Sequence, residues 1–384
     1  MGKCLRHSHL LQYVDAMSNH DIHSFATGLS ARLATRSRHV NLFLGAGSSK
    51  SAGLPDVAEL QSAILSDLTA VQRPMFDKLL ASGNLETALT KIRRMVALLG
   101  PGDQIDGIDV AQARELDQAV CRLIIKHLSI TSGVDSQPLA NLAAWLVRAT
   151  YLRPTEVFTV NYDRLLEQAL DALGAPYFDG FGGLLEGHFR SDLVDAEPSD
   201  ELYVPSFFTR LWKLHGSLNW SMMDNSVVRL GHAVGAEMTA AIYPSDAKYD
   251  ESRRVPFVVL QDRFRRALNE PESLTLVTGY SWGDAHLNEQ MYDAAIRRPR
   301  SEVIAFCYSS IPDALAMKAK SIPNLQIIAP AEAIIGSKRA PWAEPADGLP
   351  EFVWADGAAQ LGDFKSLAMF LARASGRERD ASKE

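Results

Sequence analysis

Cysteine is scarce in this chain. Three occur in 384 residues, Cys4, Cys121 and Cys307, and no two form a C-x-x-C pair. That scatter points away from a zinc module and from a disulfide framework. It fits a reducing cytoplasm. No apolar run approaches the roughly 20 residues that a membrane helix requires. The opening residues, Met1-Gly2-Lys3-Cys4-Leu5-Arg6, lack the apolar stretch of a signal peptide. Arg6 stands where a myristoylation signal wants Ser or Thr. Excess positive charge is missing too, since the formal net charge is -7. Bulk binding to nucleic acid or to a membrane surface is therefore not expected. No internal repeat is visible.

What is present is material for a core. Hydrophobic residues make up 47% of the chain, and its length suits one large domain or two moderate ones. Ile22, Phe25, Ala26, Leu29 and Leu33 fall at helical spacing, so residues 1–38 read as an amphipathic helical extension. From about 63 to 150 the apolar faces are again helical: Leu85, Ala88, Leu89, Ile92, Met95 and Leu99, then Leu116, Ala119, Val120 and Leu123, then Leu139, Leu142, Ala143, Leu146 and Val147. Gly100-Pro101-Gly102-Asp103 breaks this series. Strands are expected at 40–44, 156–160, 211–215, 274–278, 302–307 and 325–329. Helices are expected at 57–70, 164–173, 260–269, 285–297 and 364–373, and loops over 174–205. Apolar strands alternating with helices imply an α/β fold on a parallel sheet. The expected division is an extension over 1–38, a Rossmann-like domain over 39–62 and 151–335, a helical insertion over 63–150, and a C-terminal segment over 336–384. Residues 376–384 are charged and expected to be disordered.

Four short motifs carry the chemistry. Val40-Asn41-Leu42-Phe43-Leu44 runs into Gly45-Ala46-Gly47-Ser48-Ser49-Lys50-Ser51, where the glycines permit a tight turn and close approach to a phosphate. A P-loop would need Gly at position 49, and the dinucleotide fingerprint would need Gly at position 50. Asn161-Tyr162-Asp163 follows the second strand, at the edge where ligands of open α/β sheets bind. An Asp there also suits a helix cap. His215-Gly216-Ser217 ends another apolar strand, and an imidazole is the side chain best suited to move a proton near neutral pH. Gly279-Tyr280-Ser281 ends a fourth, with Asp284 placed to cap a helix. Together they read as a nucleotide site containing a general base.

In this order the motifs resemble the sirtuin family, and more closely its bacterial NAD-hydrolysing branch. The family's Gly-Ala-Gly-x-Ser and Gly-Ile-Pro-Asp correspond to Gly45-Ala46-Gly47-Ser48 and Gly53-Leu54-Pro55-Asp56. Its Asn-x-Asp, His-Gly and Gly-x-Ser correspond to Asn161-Tyr162-Asp163, His215-Gly216 and Gly279-Tyr280-Ser281. The resemblance spans about residues 40–330. The four-cysteine zinc module of the deacylases cannot be built here, and Val57-Ala58 replaces the Phe-Arg that follows their Pro-Asp. Both departures point away from protein deacylation.

The resemblance implies a sirtuin-like fold and cleavage of NAD as substrate, without a metal. Asn161 and His215 would be catalytic. Gly45, Ala46, Gly47, Ser48, Asp56, Asp163, Gly279 and Ser281 would bind NAD, with Asp163 on the nicotinamide carboxamide. It also implies an antiphage effector held off by oligomerisation or by a partner. That partner would be a HerA-like hexameric DNA-translocating ATPase, or else a short Argonaute. Residues 1–38 are then the candidate oligomer contact. Three alternatives stay open: a protein ADP-ribosyltransferase or deacylase, a non-catalytic NAD or ADP-ribose sensor, and a nuclease or DNA-binding role. The last would use the basic runs at Arg253, Arg254, Arg263, Arg265 and Arg266 and at Arg297, Arg298 and Arg300.

Overall fold

The computed structural model describes residues 19–374 apart from 82, 130–133, 198, 202, 225, 232–239 and 243–254. Residues 1–18 of the expected extension, Cys4, Arg253, Arg254 and the tail 376–384 lie outside the described residues. The fold is α/β, as the alternation of apolar strands and helices predicts. In chain order the strands that matter here are β1 (His39–Leu44), β2 (Glu156–Thr159), β3 (Tyr177–Phe178), β4 (Phe181–Gly182), β5 (Glu186–Phe189), β6 (Thr209–Lys213) and β7 (Gly216–Met223). They continue with β8 (Ser226–Leu230), β9 (Ala240–Ile242), β10 (Ser273–Thr278), β11 (Glu302–Phe306), β12 (Leu325–Ile328), β13 (Glu332–Ile335) and β14 (Lys338–Pro341). Two compact units result: residues 1–43, 137–156 and 265–384, and residues 44–136 and 157–264.

The first unit carries the strand order β14-β13-β12-β11-β10-β1. β10 pairs parallel with β11, and β11 with β12, while β13 and β14 close the edge as an antiparallel hairpin. Every residue of β1 and β10 is buried. This is the near-continuous apolar strand expected where both faces of a parallel sheet are covered. Helix Ala285–Arg297 starts where Asp284 accepts from the backbone N–H groups of His286 and Leu287. Helix Gln137–Arg148 packs on Phe364–Ala374, burying Leu139, Leu142, Trp145 and Leu146 against Leu367 and Leu371. Ile22–Ala34 is helical, and its buried residues are the five the spacing selected: Ile22, Phe25, Ala26, Leu29 and Leu33.

The second unit holds the order β2-β6-β3, with β3 and β6 parallel. A separate sheet, in the order β9-β7-β8-β5-β4, is antiparallel. Four helices, Val57–Asp67, Gln72–Leu80, Leu85–Leu98 and Val110–Leu128, share one apolar cluster that includes Ile64, Phe76, Leu89, Ile92, Leu116 and Val120. Asp56 and Asp109 open two of them as capping boxes, satisfying N–H groups that have no intrahelical partner.

Two local expectations are corrected. Residues 174–205 are not loops throughout, since they contain β3, β4, β5 and the short helix Ser191–Asp195. Two-residue strands carry no periodicity of their own: β3 exists by pairing with the distant β6, and β4 by pairing with the nearby β5. The turn at 183 also needs glycine: its φ is +116°, and a Cβ there would lie 2.5 Å from the carbonyl oxygen of Glu186. The second correction concerns the tight turn expected at 45–48, where Gly45 instead caps a short helix, Ala46–Lys50. Among the described residues no helix is long and apolar enough to cross a membrane.

Candidate active site

Three chain segments of the second unit converge, the first beginning at Leu44, where that unit starts. Leu44, the last residue of β1, accepts at its carbonyl oxygen from Val160 N at 3.2 Å and from Thr159 Oγ1 at 3.0 Å. The carbonyl oxygen of Thr159, at the end of β2, accepts from Leu214 N at 2.9 Å, just past β6. The segments that leave these ends are Gly45–Ser51, Asn161–Asp163 and His215–Ser217. They carry three of the four motifs, gathered at the edge where open α/β sheets bind ligands.

Asn161 is the hub. Its Nδ2 donates to Gly45 O at 3.0 Å, Ser48 Oγ at 3.1 Å and Ser49 Oγ at 2.9 Å. The hydrogens of both hydroxyls are committed elsewhere. Ser48 Oγ donates to Gly45 O at 2.7 Å, and Ser49 Oγ donates to Asp163 Oδ2 at 2.6 Å. All three partners therefore offer acceptors, which fixes the amide with nitrogen towards them. Asn161 Oδ1 is left buried and without a hydrogen-bond partner. A buried oxygen in that condition costs free energy until a donor reaches it.

Asp163 is buried, and both its oxygens have protein donors, Ser49 Oγ on Oδ2 and Leu165 N at 3.0 Å on Oδ1. The N-cap of helix Leu165–Ala172 is Arg164 rather than Asp163, which accepts from Leu165 N from one residue outside the cap. Each oxygen keeps a lone pair for a further donor. Tyr162 between them turns the other way and packs on the helical cluster. Burial pushes its hydroxyl well above the usual range, with Glu86 adding to the effect, so it stays protonated.

His215 is 3% exposed and lies between β6 and β7. The chain turns immediately after it at Gly216, where φ is +95°. Ser217 Oγ donates to Asn219 Oδ1 at 2.8 Å, and Asn219 Nδ2 donates to Leu230 O at 2.9 Å. Ser217 and Asn219 of β7 are thereby satisfied inside the unit.

Asp56 sits apart from this hub in chemistry. Its Oδ1 accepts from Ala58 N and Glu59 N, and its Oδ2 from Lys50 Nζ at 2.5 Å. The Lys50 ammonium holds its carboxyl below the ordinary value. Gly279 and Ser281 belong to the first unit, at the end of β10. Gly279 has φ +63°, Ser281 is exposed, and Tyr280 Oη donates to Asn288 Oδ1 at 3.0 Å. The rings of Trp282 and Tyr292 stack at 6.0 Å.

Sequence reasoning placed Ser48 in the site and read the hydroxyls after Gly47 only as phosphate donors or helix caps, not Ser49 as the link from Asn161 to Asp163. It also passed over Lys213, 2% exposed, and its partner Glu167 at 3.0 Å. The signal was present: a lysine inside the apolar run Leu211-Trp212-Lys213-Leu214 has to find a partner when buried.

Residues 155–328 match the model of a family described as a SIR2-like domain. No curated protein matches the chain. Among solved structures, a mutant Sir2 homologue in complex with ADP-ribose aligns with 12% identity and a TM-score of 0.44, over 91% of this chain and 95% of that one.

Proposed function

We propose, with the SIR2-like match over residues 155–328 as premise, that the chain is an NAD glycohydrolase, cleaving NAD with water to nicotinamide and ADP-ribose. The observation that carries this reading is Asn161 Oδ1, a buried acceptor with no partner, held beside the Gly45 turn. An acceptor takes a donor, so the group it would receive is an O–H, either a ribose hydroxyl or the attacking water. A phosphate oxygen is the wrong partner for it.

The chemistry asks for little more. The bond from the ribose anomeric carbon to the pyridinium nitrogen breaks, and its electron pair stays on the nitrogen. Nicotinamide leaves neutral, so no general acid is required. The anomeric carbon gains positive charge, which nearby oxygen atoms stabilise electrostatically. Water adds to that carbon, and His215 takes the proton as general base. Asp163 would receive the carboxamide N–H on a remaining lone pair. The side-chain-free backbone at Gly45 and Gly47 would let the pyrophosphate approach.

The same reading extends to an antiphage effector controlled by self-assembly or by a partner, either a HerA-like ATPase or a short Argonaute. Its support is the motif resemblance alone.

The test is product chromatography after incubating purified protein with NAD, alone and with the product of the neighbouring gene. Nicotinamide and free ADP-ribose are expected. Asn161→Ala and His215→Ala should each lose at least ~100-fold of nicotinamide release, with circular dichroism unchanged. Near-normal turnover in either variant overturns the mechanism. ADP-ribose found on protein instead would make the chain a transferase.

A further inference from the structure

Lys213 ends β6, two residues before His215, and it is almost wholly buried. Its Nζ donates to three oxygens: the carbonyl of Tyr162 at 3.3 Å, the carbonyl of Asp163, and Glu167 Oε1 at 3.0 Å. An ammonium has three N–H groups, and all three are in use. Two of them hold main-chain oxygens of the turn that carries Asn161 and Asp163. The Tyr162 carbonyl also accepts from Leu218 N at 2.9 Å. The segment bearing His215 therefore grips the Asn161–Asp163 turn from both sides of His215.

A buried ammonium is a costly way to fill space, and a methionine would pack there at lower desolvation cost. Glu167, in the first turn of helix Leu165–Ala172, supplies the opposite charge from a side chain only 14% exposed. The arrangement makes sense where two carbonyls must be held in one orientation. It also brings a neutralised pair, rather than a bare cation, near a centre that becomes positively charged during reaction.

We propose that Lys213, neutralised by Glu167, is a positioning residue that locks the Asn161–Asp163 turn to the His215 segment, so that Asn161 Oδ1 and His215 act on one bound molecule. This rests on the hydrolase reading above for its catalytic consequence, and on geometry alone for the lock.

The test compares Lys213→Met with the double variant Lys213→Met/Glu167→Gln. The single variant leaves Glu167 without its cation and should lower Tm. The double variant removes both charges and should recover Tm to near wild type. Its kcat for nicotinamide release should nevertheless stay about 100-fold down, with KM for NAD changed by less than about 3-fold. Amide hydrogen exchange reads the lock without turnover. In the double variant Leu218 N, which bonds the Tyr162 carbonyl, and Leu165 N, which bonds Asp163, should exchange ~10-fold faster than in wild type. Wild-type kcat in the double variant, or unchanged exchange at these two amides, overturns the proposal. If the wild type releases no nicotinamide, the hydrolase reading fails and exchange alone decides the lock.

Discussion

Ser49 Oγ donates to Asp163 Oδ2 at 2.6 Å while accepting from Asn161 Nδ2 at 2.9 Å. One hydroxyl thereby joins the glycine-rich turn to both polar residues of the Asn161–Asp163 turn. Its two roles cannot be exchanged, because a carboxylate only accepts and an amide nitrogen only donates.

Ser49→Ala should consequently damage the fold as well as the site. It leaves Asp163 Oδ2 buried without its donor, a loss of about 1–3 kcal/mol. Urea denaturation should show a lower midpoint with an unchanged m value. An unchanged midpoint would mean that the Ser49 hydroxyl does not satisfy that carboxylate.

Asn161→Asp is the sharper probe of amide orientation. A carboxylate oxygen in place of Nδ2 would face Gly45 O, Ser48 Oγ and Ser49 Oγ, whose own hydrogens point elsewhere. Nicotinamide release should fall as far as in Asn161→Ala, about 100-fold or more. Activity close to wild type in Asn161→Asp would show that the nitrogen contacts are dispensable.

Gly216→Ala tests the turn after His215. At φ +95° an L side chain is strained, by about 1–2 kcal/mol. Relief of that strain would displace the neighbouring imidazole. Nicotinamide release is expected to drop ~10-fold or more, while Tm moves only a few degrees. A variant that loses stability but keeps full activity would separate the turn from the chemistry.

Lys50→Met addresses the ion pair beside the site. Lys50 is the main cause of the lowered Asp56 pKa, with the backbone N–H groups of Glu59 and Ala58 adding to it. A depressed carboxyl stabilises the fold above its unfolded pKa, and that contribution fades as pH falls through the folded value. In a carboxyl-carbon NMR titration, Asp56 should therefore titrate below its ordinary 3.8 in wild type and move upwards in Lys50→Met. Both groups are substantially exposed and screened by solvent, so stability near neutral pH should change little. An Asp56 titration identical in the two proteins would discard the pair as a solution feature.

Much of this architecture could be read from residue pattern alone. The strands at 40–44, 274–278 and 302–307 announce themselves because both faces are covered and apolar residues dominate each run. The amphipathic faces of Ile22–Ala34 and Leu85–Leu98 are equally plain. β7 was harder, because Ser217 and Asn219 are buried and satisfy their polarity against each other and the backbone, and nothing local announces such partners. At the site, residue type singled out Asn161 and His215 as candidates. It could not show which side of the Asn161 amide would be left open, because that follows from where two serine hydroxyls send their hydrogens. Asp56 matched by motif, yet its carboxylate is occupied by a helix end and a lysine.

Tyr162 gives the helices at 57–128 a meaning beyond bulk. Its ring packs on their apolar cluster, while its neighbours Asn161 and Asp163 bond to the Gly45–Ser51 segment. A force that shifted those helices would be delivered through one aromatic lever to the two residues flanking it. The segment is therefore unsuited to deletion or to swapping for a shorter linker.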